Sequence, residues 1–269
     1  RLSAMDDAER SRGVVAFSSG NHAQGVSRAA KELGMSAVIV MPSDAPAIKV
    51  AGVENDGAKI VFYDRHTENR EALSAQIAKD EDRIIVPSYD DPYIIAGQGT
   101  TGLEIAHEAA ALGIGFGALI TPIGGGGLCA GTSLALNELS PGTKIFAAEP
   151  EHYNDHQLSF RSGKRTGHGS SRPTLCDALM TPIPGELTFA INSKSLSDVF
   201  TASDEDCLKA MAVLKRGLGV QTEPGGAAAF AALLSGALDG YAGLENICII
   251  LSGGNVDPGV AAKADAMPV

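Results

Sequence analysis

Short apolar runs alternate with helical patterns along almost the whole chain of 269 residues. The apolar runs lie at residues 14–17, 37–41, 60–63, 84–86, 118–120, 145–148 and 247–251. Helical spacing of apolar residues covers 21–33, 48–55, 68–78, 103–112, 128–139, 203–218 and 225–234. Short strands separated by helices are typical of βαβ units, whose parallel strands are buried on both faces. The sequence therefore predicts an α/β fold in which each domain is an open, mainly parallel, twisted sheet flanked by helices.

Two domains are predicted, because ordinary domains contain about 100–200 residues. The Asp-Asp-Pro turn at 90–92 is the best candidate for the crossing between them. It separates a small domain over 13–90 from a large domain over 91–269, with 1–12 as a linking helix. Because the chain begins inside a helical pattern and without an initiator methionine, we expect the N-terminal part of the large domain to lie outside it. The segment 154–172 is polar and aperiodic and is predicted to be a surface excursion.

Charge and cysteine usage exclude several classes of function. Acidic residues outnumber basic ones by 32 to 21, and the formal net charge is −11. Such a chain has no general attraction for phosphate backbones or anionic lipids, so we expect neither a nucleic-acid nor a membrane partner. No apolar run approaches the ~20 residues that span a bilayer. The four cysteines lie far apart, which favours reduced thiols in a cytoplasmic protein over disulfides or a zinc site.

A run of small polar residues follows the first predicted strand directly and opens a predicted helix. It reads Ser18-Ser19-Gly20-Asn21-His22. In open α/β sheets, ligands bind beyond the carboxyl ends of the strands, where helix N-termini present unpaired N–H groups to anions. The run could therefore receive a carboxylate or a phosphate, or it could be an ordinary helix N-cap, for which serine and asparagine are preferred.

Two further glycine-rich turns lie at predicted strand ends. Gly124, Gly125, Gly126 and Gly127 precede Leu128 and a predicted helix. Four successive glycines cost roughly 0.5–1 kcal/mol each relative to alanine, a cost that a close backbone approach to a phosphate would explain. The third turn begins at Ser252 and continues Gly-Gly-Asn. Its hydroxyl is either satisfied within the core or placed to partner a ring nitrogen.

The tetraglycine run also admits a dinucleotide-binding interpretation. Gly125, Gly127 and Ala130 fit the G-x-G-x-x-[GA] fingerprint, and Glu149 follows at about the distance of a ribose-binding acid. A short fingerprint is a weak signal, and this interpretation leaves the other two turns unexplained.

Taken in order, the motifs resemble the pyridoxal-phosphate (PLP) enzymes of the tryptophan-synthase-β fold, and most closely the serine/threonine dehydratase and serine racemase branch. The similarity covers nearly the whole chain. The segments that carry it are SSGNHAQG at 18–25, AGQGT at 96–100, GGGGL at 124–128, Glu149-Pro150, EPGGA at 223–227 and SGGNVD at 252–257.

The resemblance implies roles for the residues of the three turns. Gly124, Gly125, Gly126, Gly127 and Leu128 would bind the cofactor phosphate, Asn21 its 3-hydroxyl and Ser252 its pyridine nitrogen. A neutral hydroxyl at that nitrogen would favour elimination over transamination. Ser18, Asn21 and His22 would receive the substrate α-carboxylate, and Ser19 would be the acid/base on the face opposite the catalytic lysine.

The resemblance also implies a divalent-cation site. Glu149 and Asp155, with the backbone carbonyl of Tyr153, match the ligands of the branch, and such oxygens suit Mg²⁺, Mn²⁺ or Ca²⁺. Without the family, two solvated acids after a strand would be the simpler interpretation.

The resemblance implies α,β-elimination from L-serine, L-threonine or 3-hydroxyaspartate to a 2-keto acid and ammonia. It also implies that the protein binds a small amino acid as its substrate and forms a homodimer. Arg65, His66 and Arg70 are candidates for a second substrate carboxylate or are simple surface charges. The family's Schiff-base lysine is expected upstream of Arg1, since no lysine of this chain has the required context. An amino-acid racemase acting through Ser19 and a non-catalytic ligand-binding fragment are the alternatives.

Overall fold

The computed structural model describes residues 1–65, 67–170 and 172–268. The chain divides into two compact units, Arg1–Ser88 and Tyr89–Val269. Each unit contains one four-stranded sheet, and every strand pair in both sheets is parallel. The α/β class with parallel sheets flanked by helices is confirmed. The domain bounds 13–90 and 91–269, and the linking role of 1–12, stay predictions.

The first unit is built around two adjacent apolar strands, β1 and β2. Its elements are α1 (Asp7–Arg12), β1 (Val14–Phe17), α2 (Asn21–Glu32), β2 (Ala37–Pro42), α3 (Ala47–Asn55), β3 (Lys59–Tyr63), α4 (Arg70–Asp80) and β4 (Ile84–Val86). The strand order is β3-β2-β1-β4. Val15 pairs with Val38, and both are fully buried. Burial on both faces explains why these strands read as continuous apolar runs.

The segment before β1 differs from the predicted single helix. A short 3₁₀ turn at Leu2–Ala4 precedes α1. The helix begins at Asp7 because Asp6 and Glu9 form a reciprocal capping box at its N-terminus.

The second unit has the strand order β7-β6-β5-β8. Its elements are α5 (Pro92–Leu112), β5 (Ala118–Pro122), α6 (Gly127–Leu139), β6 (Lys144–Pro150), α7 (Asp155–Ser162), α8 (Glu186–Ser195), β7 (Leu196–Ala202), α9 (Asp204–Leu218), α10 (Pro224–Leu234), β8 (Ile247–Ile249) and α11 (Pro258–Asp265). Helix α10 is almost entirely buried, and its alanines pack beside the apolar core of β5 and β6.

Several expectations about this unit were wrong. The segment 154–172, predicted as a surface excursion, contains α7, three of whose polar residues are buried. Helix α5 begins at Pro92 instead of near 103, because Asp91 accepts the N–H groups of the first turn and proline is favoured at the first helical position. Ser203 and Asp206 form a reciprocal capping box at the start of α9. Among the described residues, no helix is both long enough and apolar enough to cross a membrane.

Candidate active site

The carboxyl ends of three neighbouring strands bring most of the candidate residues of the second unit together. The tetraglycine loop follows β5, Ser252 follows β8, and Glu149 lies near the end of β6. The register pairs Pro122 with Ala148 and Ile120 with Ile249. Because parallel strands end at the same edge of a sheet, the loop lies between Ser252 on one side and Glu149 on the other.

The tetraglycine loop ends at the N-terminus of α6. Gly126 is the N-cap, and its backbone is left-handed, with φ +94° and ψ −2°. Among the described residues, no side chain caps this end of the helix. The amides of its first turn therefore have no intrahelical partner, and the helix dipole adds partial positive charge there. This arrangement suits a phosphate group.

Neighbouring protein atoms explain why the loop consists of glycines. A Cβ on Gly125 would overlap the ring of Tyr89, and one on Gly127 would lie 3.1 Å from the Tyr89 Cα. A Cβ on Gly124 would lie 3.2 Å from the Leu179 Cα. Gly126 has the positive φ, which other L-residues rarely adopt. Close protein packing is therefore one reason for the glycines, and the predicted close approach of a phosphate stays a prediction.

Ser252 is exposed at the end of β8. The residue after it is fixed by the start of α10, since the Glu223 N–H donates to the Gly253 carbonyl at 2.9 Å. A Cβ on Gly226 would overlap the backbone of Gly253, so α10 and this turn pack without a gap. The Ser252 hydroxyl is consequently held at the same sheet edge as the tetraglycine loop.

The polar run of the first unit joins β1 to α2. The Ser18 N–H donates to the Val40 carbonyl at 3.1 Å, and the Ser18 hydroxyl accepts the Gly20 N–H at 3.2 Å. Gly20 is the N-cap of α2, and no described side chain caps this helix. The ordinary N-cap alternative is therefore wrong. Asn21 is exposed on the first turn, where the N–H groups suit a carboxylate.

Burial keeps the imidazole of His22 neutral. It lowers the pKa of His22 to about 4, while a hydrogen bond to the Val86 backbone works in the opposite direction. Its Nε2 atom is buried and has no hydrogen-bond partner among the described residues. The residue as a whole is half-buried, although its ring is buried.

Sequence reasoning missed Lys49, which is fully buried in α3. A Cβ on Gly20 would overlap the Lys49 side chain, so this lysine packs directly behind the polar run. The sequence pattern around Lys49 predicts only a helix, and the spacing of apolar residues does not predict which lysines are buried.

Two buried acidic residues, Glu149 near the end of β6 and Asp155 at the start of α7, lie close to each other. Glu149 accepts the His156 N–H at 3.1 Å and the Gln157 N–H at 2.7 Å. Burial, and then the neighbouring Asp155, raise the pKa of Glu149 well above its usual value. Burial raises the pKa of Asp155 to about 8, and only its own backbone N–H opposes the rise. Neither Asp155 oxygen bonds another described residue, and Tyr153 beside it is buried too.

The basic residues considered for a second substrate carboxylate already have partners. Arg65 forms an ion pair with Asp44 at 2.7 Å, and Arg70 one with Glu71 at 2.9 Å. The Arg70 guanidinium also lies 5.3 Å from the ring centre of Phe17, just before the polar run. His66 lies outside the described residues.

A glycine loop at a helix N-terminus, on the carboxyl edge of a parallel sheet, is typical of phosphate-binding α/β proteins. The family model described as "Pyridoxal-phosphate dependent enzyme" matches residues 2–253. The chain belongs to this family of PLP-dependent enzymes. The dinucleotide-binding interpretation of the loop is therefore wrong, and Glu149 bonds backbone N–H groups of α7.

Named relatives give this membership more detail. The chain is 46% identical over 257 residues to the L-threo-3-hydroxyaspartate ammonia-lyase of Saccharomyces cerevisiae, covering 95% of this chain and 76% of that protein. It is 40% identical over 257 residues to the catabolic L-threonine dehydratase of Escherichia coli K12, and the match covers 96% of this chain and 77% of that protein. The structure of maize serine racemase superposes with a TM-score of 0.90 at 36% identity, covering 98% of this chain and 79% of that one.

Proposed function

We propose that this protein is a PLP-dependent ammonia-lyase that acts on a β-hydroxy amino acid, namely serine, threonine or 3-hydroxyaspartate. The observation that carries the proposal is the tetraglycine loop, whose amides lie at the uncapped N-terminus of α6, in a chain 46% identical to a hydroxyaspartate ammonia-lyase. Loss of the β-hydroxyl as water, followed by hydrolysis, leaves a 2-keto acid and ammonia.

The residues of the second unit fit the cofactor's polar groups. In this proposal the amides of Gly124, Gly125, Gly126, Gly127 and Leu128 hold the phosphate, and the Ser252 hydroxyl faces the ring nitrogen. Bound there, the cofactor supplies an electron-withdrawing ring that stabilises negative charge on the substrate α-carbon. A carboxylate beside the ring nitrogen would favour its protonation, whereas a neutral serine hydroxyl does not. The ring therefore withdraws electrons less strongly beside Ser252.

The residues of the first unit have the chemistry to hold the substrate. We assign the α-carboxylate to Ser18, Asn21 and His22, and the cofactor 3-hydroxyl to Asn21. The uncapped start of α2 attracts an anion. The neutral imidazole of His22 already donates its one N–H to the Val86 backbone, so in this proposal His22 contacts the carboxylate through its own backbone N–H in the first turn of α2.

A racemase is the second candidate function. Support comes from the structural match to maize serine racemase and from Ser19, whose hydroxyl is the candidate for protonating the second face of the α-carbon. Both activities use the same sites for cofactor and substrate, so they diverge only after the α-proton has been removed.

We also propose a divalent cation as a second cofactor, held by Glu149, Asp155 and the Tyr153 carbonyl. Among the described residues, no group of three or more histidine, cysteine or acidic side chains is placed to hold a metal ion, so in this proposal a carbonyl and waters would complete the site. Support comes from Asp155, a buried carboxylate with unpartnered oxygens beside a second buried acid. A cation there would offset the cost of burying two carboxylates.

A cytoplasmic homodimer completes the proposal. The four cysteines are free, as is usual in a reducing compartment. On the packed helices α5 and α6, Leu103 and Leu134 are 41% and 50% exposed, and a second copy could cover them. Sedimentation equilibrium should give twice the monomer mass, and a monomer would contradict this part.

The activity is tested with protein expressed from the complete gene and supplied with PLP. Incubation with L-serine, L-threonine and 3-hydroxyaspartate should release equal amounts of ammonia and 2-keto acid from at least one of them. L-Alanine, which has no β-hydroxyl, is the matched control and should release none. Absence of both products from all three substrates would contradict the proposed function.

A further inference from the structure

Three successive carbonyl groups of the tetraglycine loop each accept a hydrogen bond from a side chain of α7 or α8. The imidazole of His156 bonds the Gly124 backbone, the Thr188 hydroxyl donates to the Gly125 carbonyl at 2.7 Å, and Asn192 Nδ2 donates to the Gly126 carbonyl at 3.1 Å. The three side chains belong to residues that are at most 2% exposed. Burying a polar side chain costs free energy unless it forms a hydrogen bond. All three of these side chains form that bond with the same loop.

These bonds determine the direction of the loop's N–H groups. In a trans peptide, the carbonyl and the N–H of the next residue lie in one plane and point in opposite directions. Side chains that hold the carbonyls of Gly124, Gly125 and Gly126 therefore turn the N–H groups of Gly125, Gly126 and Gly127 to the other face. We propose that His156, Thr188 and Asn192 are positioning residues that orient these amides for the cofactor phosphate. This inference rests on the proposed function.

The loop needs such support because its own sequence does not restrict it. Glycine occupies both halves of φ space with similar ease, so four in a row have many peptide orientations of similar energy. The three side chains pack directly on the loop, since a Cβ on Gly126 would lie within 2.8–3.0 Å of an atom from each of them. An orientation held before binding lowers the cost of ordering the loop around a ligand.

The first turn of helix α8 is capped by a residue that is distant in sequence. The Asp90 carboxylate accepts the N–H groups of Glu186 at 2.9 Å, Leu187 at 2.9 Å and Thr188 at 3.0 Å. It thus acts as the N-cap that the helix's own sequence lacks. Thr188 and Asn192 are four residues apart and so lie on one face of α8, which presents both donors to the loop.

The test compares affinity for PLP with affinity for pyridoxal, which lacks the phosphate. Thr188→Val removes the donor at nearly constant volume and should raise the Kd for PLP about tenfold, with the Kd for pyridoxal unchanged. Thr188→Ser keeps the hydroxyl and should stay within about twofold of the wild type. The matched control is Thr132→Val in α6, a fully buried threonine whose hydroxyl bonds no described residue; it should leave both constants unchanged.

The outcomes separate this inference from the proposed function. If the wild type does not bind PLP, the proposed function fails. If the wild type binds PLP and Thr188→Val binds it equally well, or loses PLP and pyridoxal to the same extent, only the inference is overturned. Should Thr188→Val fail to fold, as judged by circular dichroism, Asn192→Leu takes its place with the same expected selectivity. The ³¹P chemical shift of bound PLP should also move in either folded variant but not in Thr132→Val.

Discussion

The Glu149 carboxylate accepts the backbone N–H of His156 at 3.1 Å, while the imidazole of the same histidine bonds the Gly124 backbone. One residue thus joins the proposed cation site to the proposed phosphate loop. Whatever orders the start of α7 should also order Gly124.

Removal of divalent cations should therefore weaken both the fold and cofactor binding. EDTA is expected to lower the melting temperature by roughly 5 °C, because a ligand that binds only the native state stabilises it by mass action. It should also raise the Kd for PLP, and Mg²⁺, Mn²⁺ or Ca²⁺ should restore both values. Differential scanning fluorimetry and a PLP titration measure these effects.

Asp155→Asn provides the control for the cation. It removes a carboxyl group that is costly to bury, because burial raises its pKa to about 8, so the cation-free protein should be at least as stable as the wild type. The melting temperature of this variant should no longer respond to EDTA. A wild type that does not respond to EDTA, or a variant that responds as fully, would contradict the site.

Stability should fall in mild acid because of His22. Its pKa is about 4 in the folded protein against 6.5 for an unperturbed histidine, so the unfolded chain binds more protons between these values. The stabilisation is complete above about pH 6.5 and is lost as pH falls towards 4. Between pH 7 and pH 5 this group should remove roughly 2 kcal/mol from the free energy of unfolding.

Urea unfolding at pH 7, 6 and 5 measures that loss. His22→Asn keeps a side-chain donor for the Val86 backbone but does not titrate, so its free energy of unfolding should depend less steeply on pH. The difference between the two slopes isolates His22 from every other titrating group. Parallel slopes would show that burial does not shift this pKa.

Ser19→Ala should separate racemisation from elimination. Loss of a positioned acid/base group lowers a rate by about 10²–10⁴-fold, so D-amino acid production should fall at least a hundredfold. Ammonia release from the L-substrate should remain within a few fold. Ser18→Ala is the contrasting variant, since loss of a carboxylate contact should raise KM in both reactions. Equal losses of both activities in Ser19→Ala would contradict the assigned role.

Asp90→Ala should destabilise α8 and weaken cofactor binding together. Loss of an N-cap costs about 1–2 kcal/mol, and a frayed first turn releases Thr188 part of the time, which should raise the Kd for PLP about threefold. Asp91→Ala is a matched control, because Asp91 caps α5 by accepting the N–H groups of Tyr93 and Ile94. It should cost similar stability and leave the PLP affinity unchanged; equal weakening by both variants would indicate a general loss of stability.

Patterns local in sequence predicted much of the fold. The strands β1, β2 and β5 read as apolar runs because they are buried on both faces. Edge strand β7 was missed, since its residues alternate irregularly between buried and exposed. Helix α7 was missed because its buried residues are polar, so hydrophobic periodicity does not reveal it.

The candidate site also has parts that the sequence predicted and parts that only the structure showed. Sequence alone determined the glycine loop, the polar run that starts at Ser18 and the strand ends that carry them, since each is a continuous motif whose chemistry does not depend on distant residues. Only the tertiary structure decided what supports the loop. Thr188 is 63 residues from Gly125, and Asp90 is 98 residues from Thr188. Hydrogen bonds between such distant residues depend on how the helices pack on the sheet, and no local pattern contains that information.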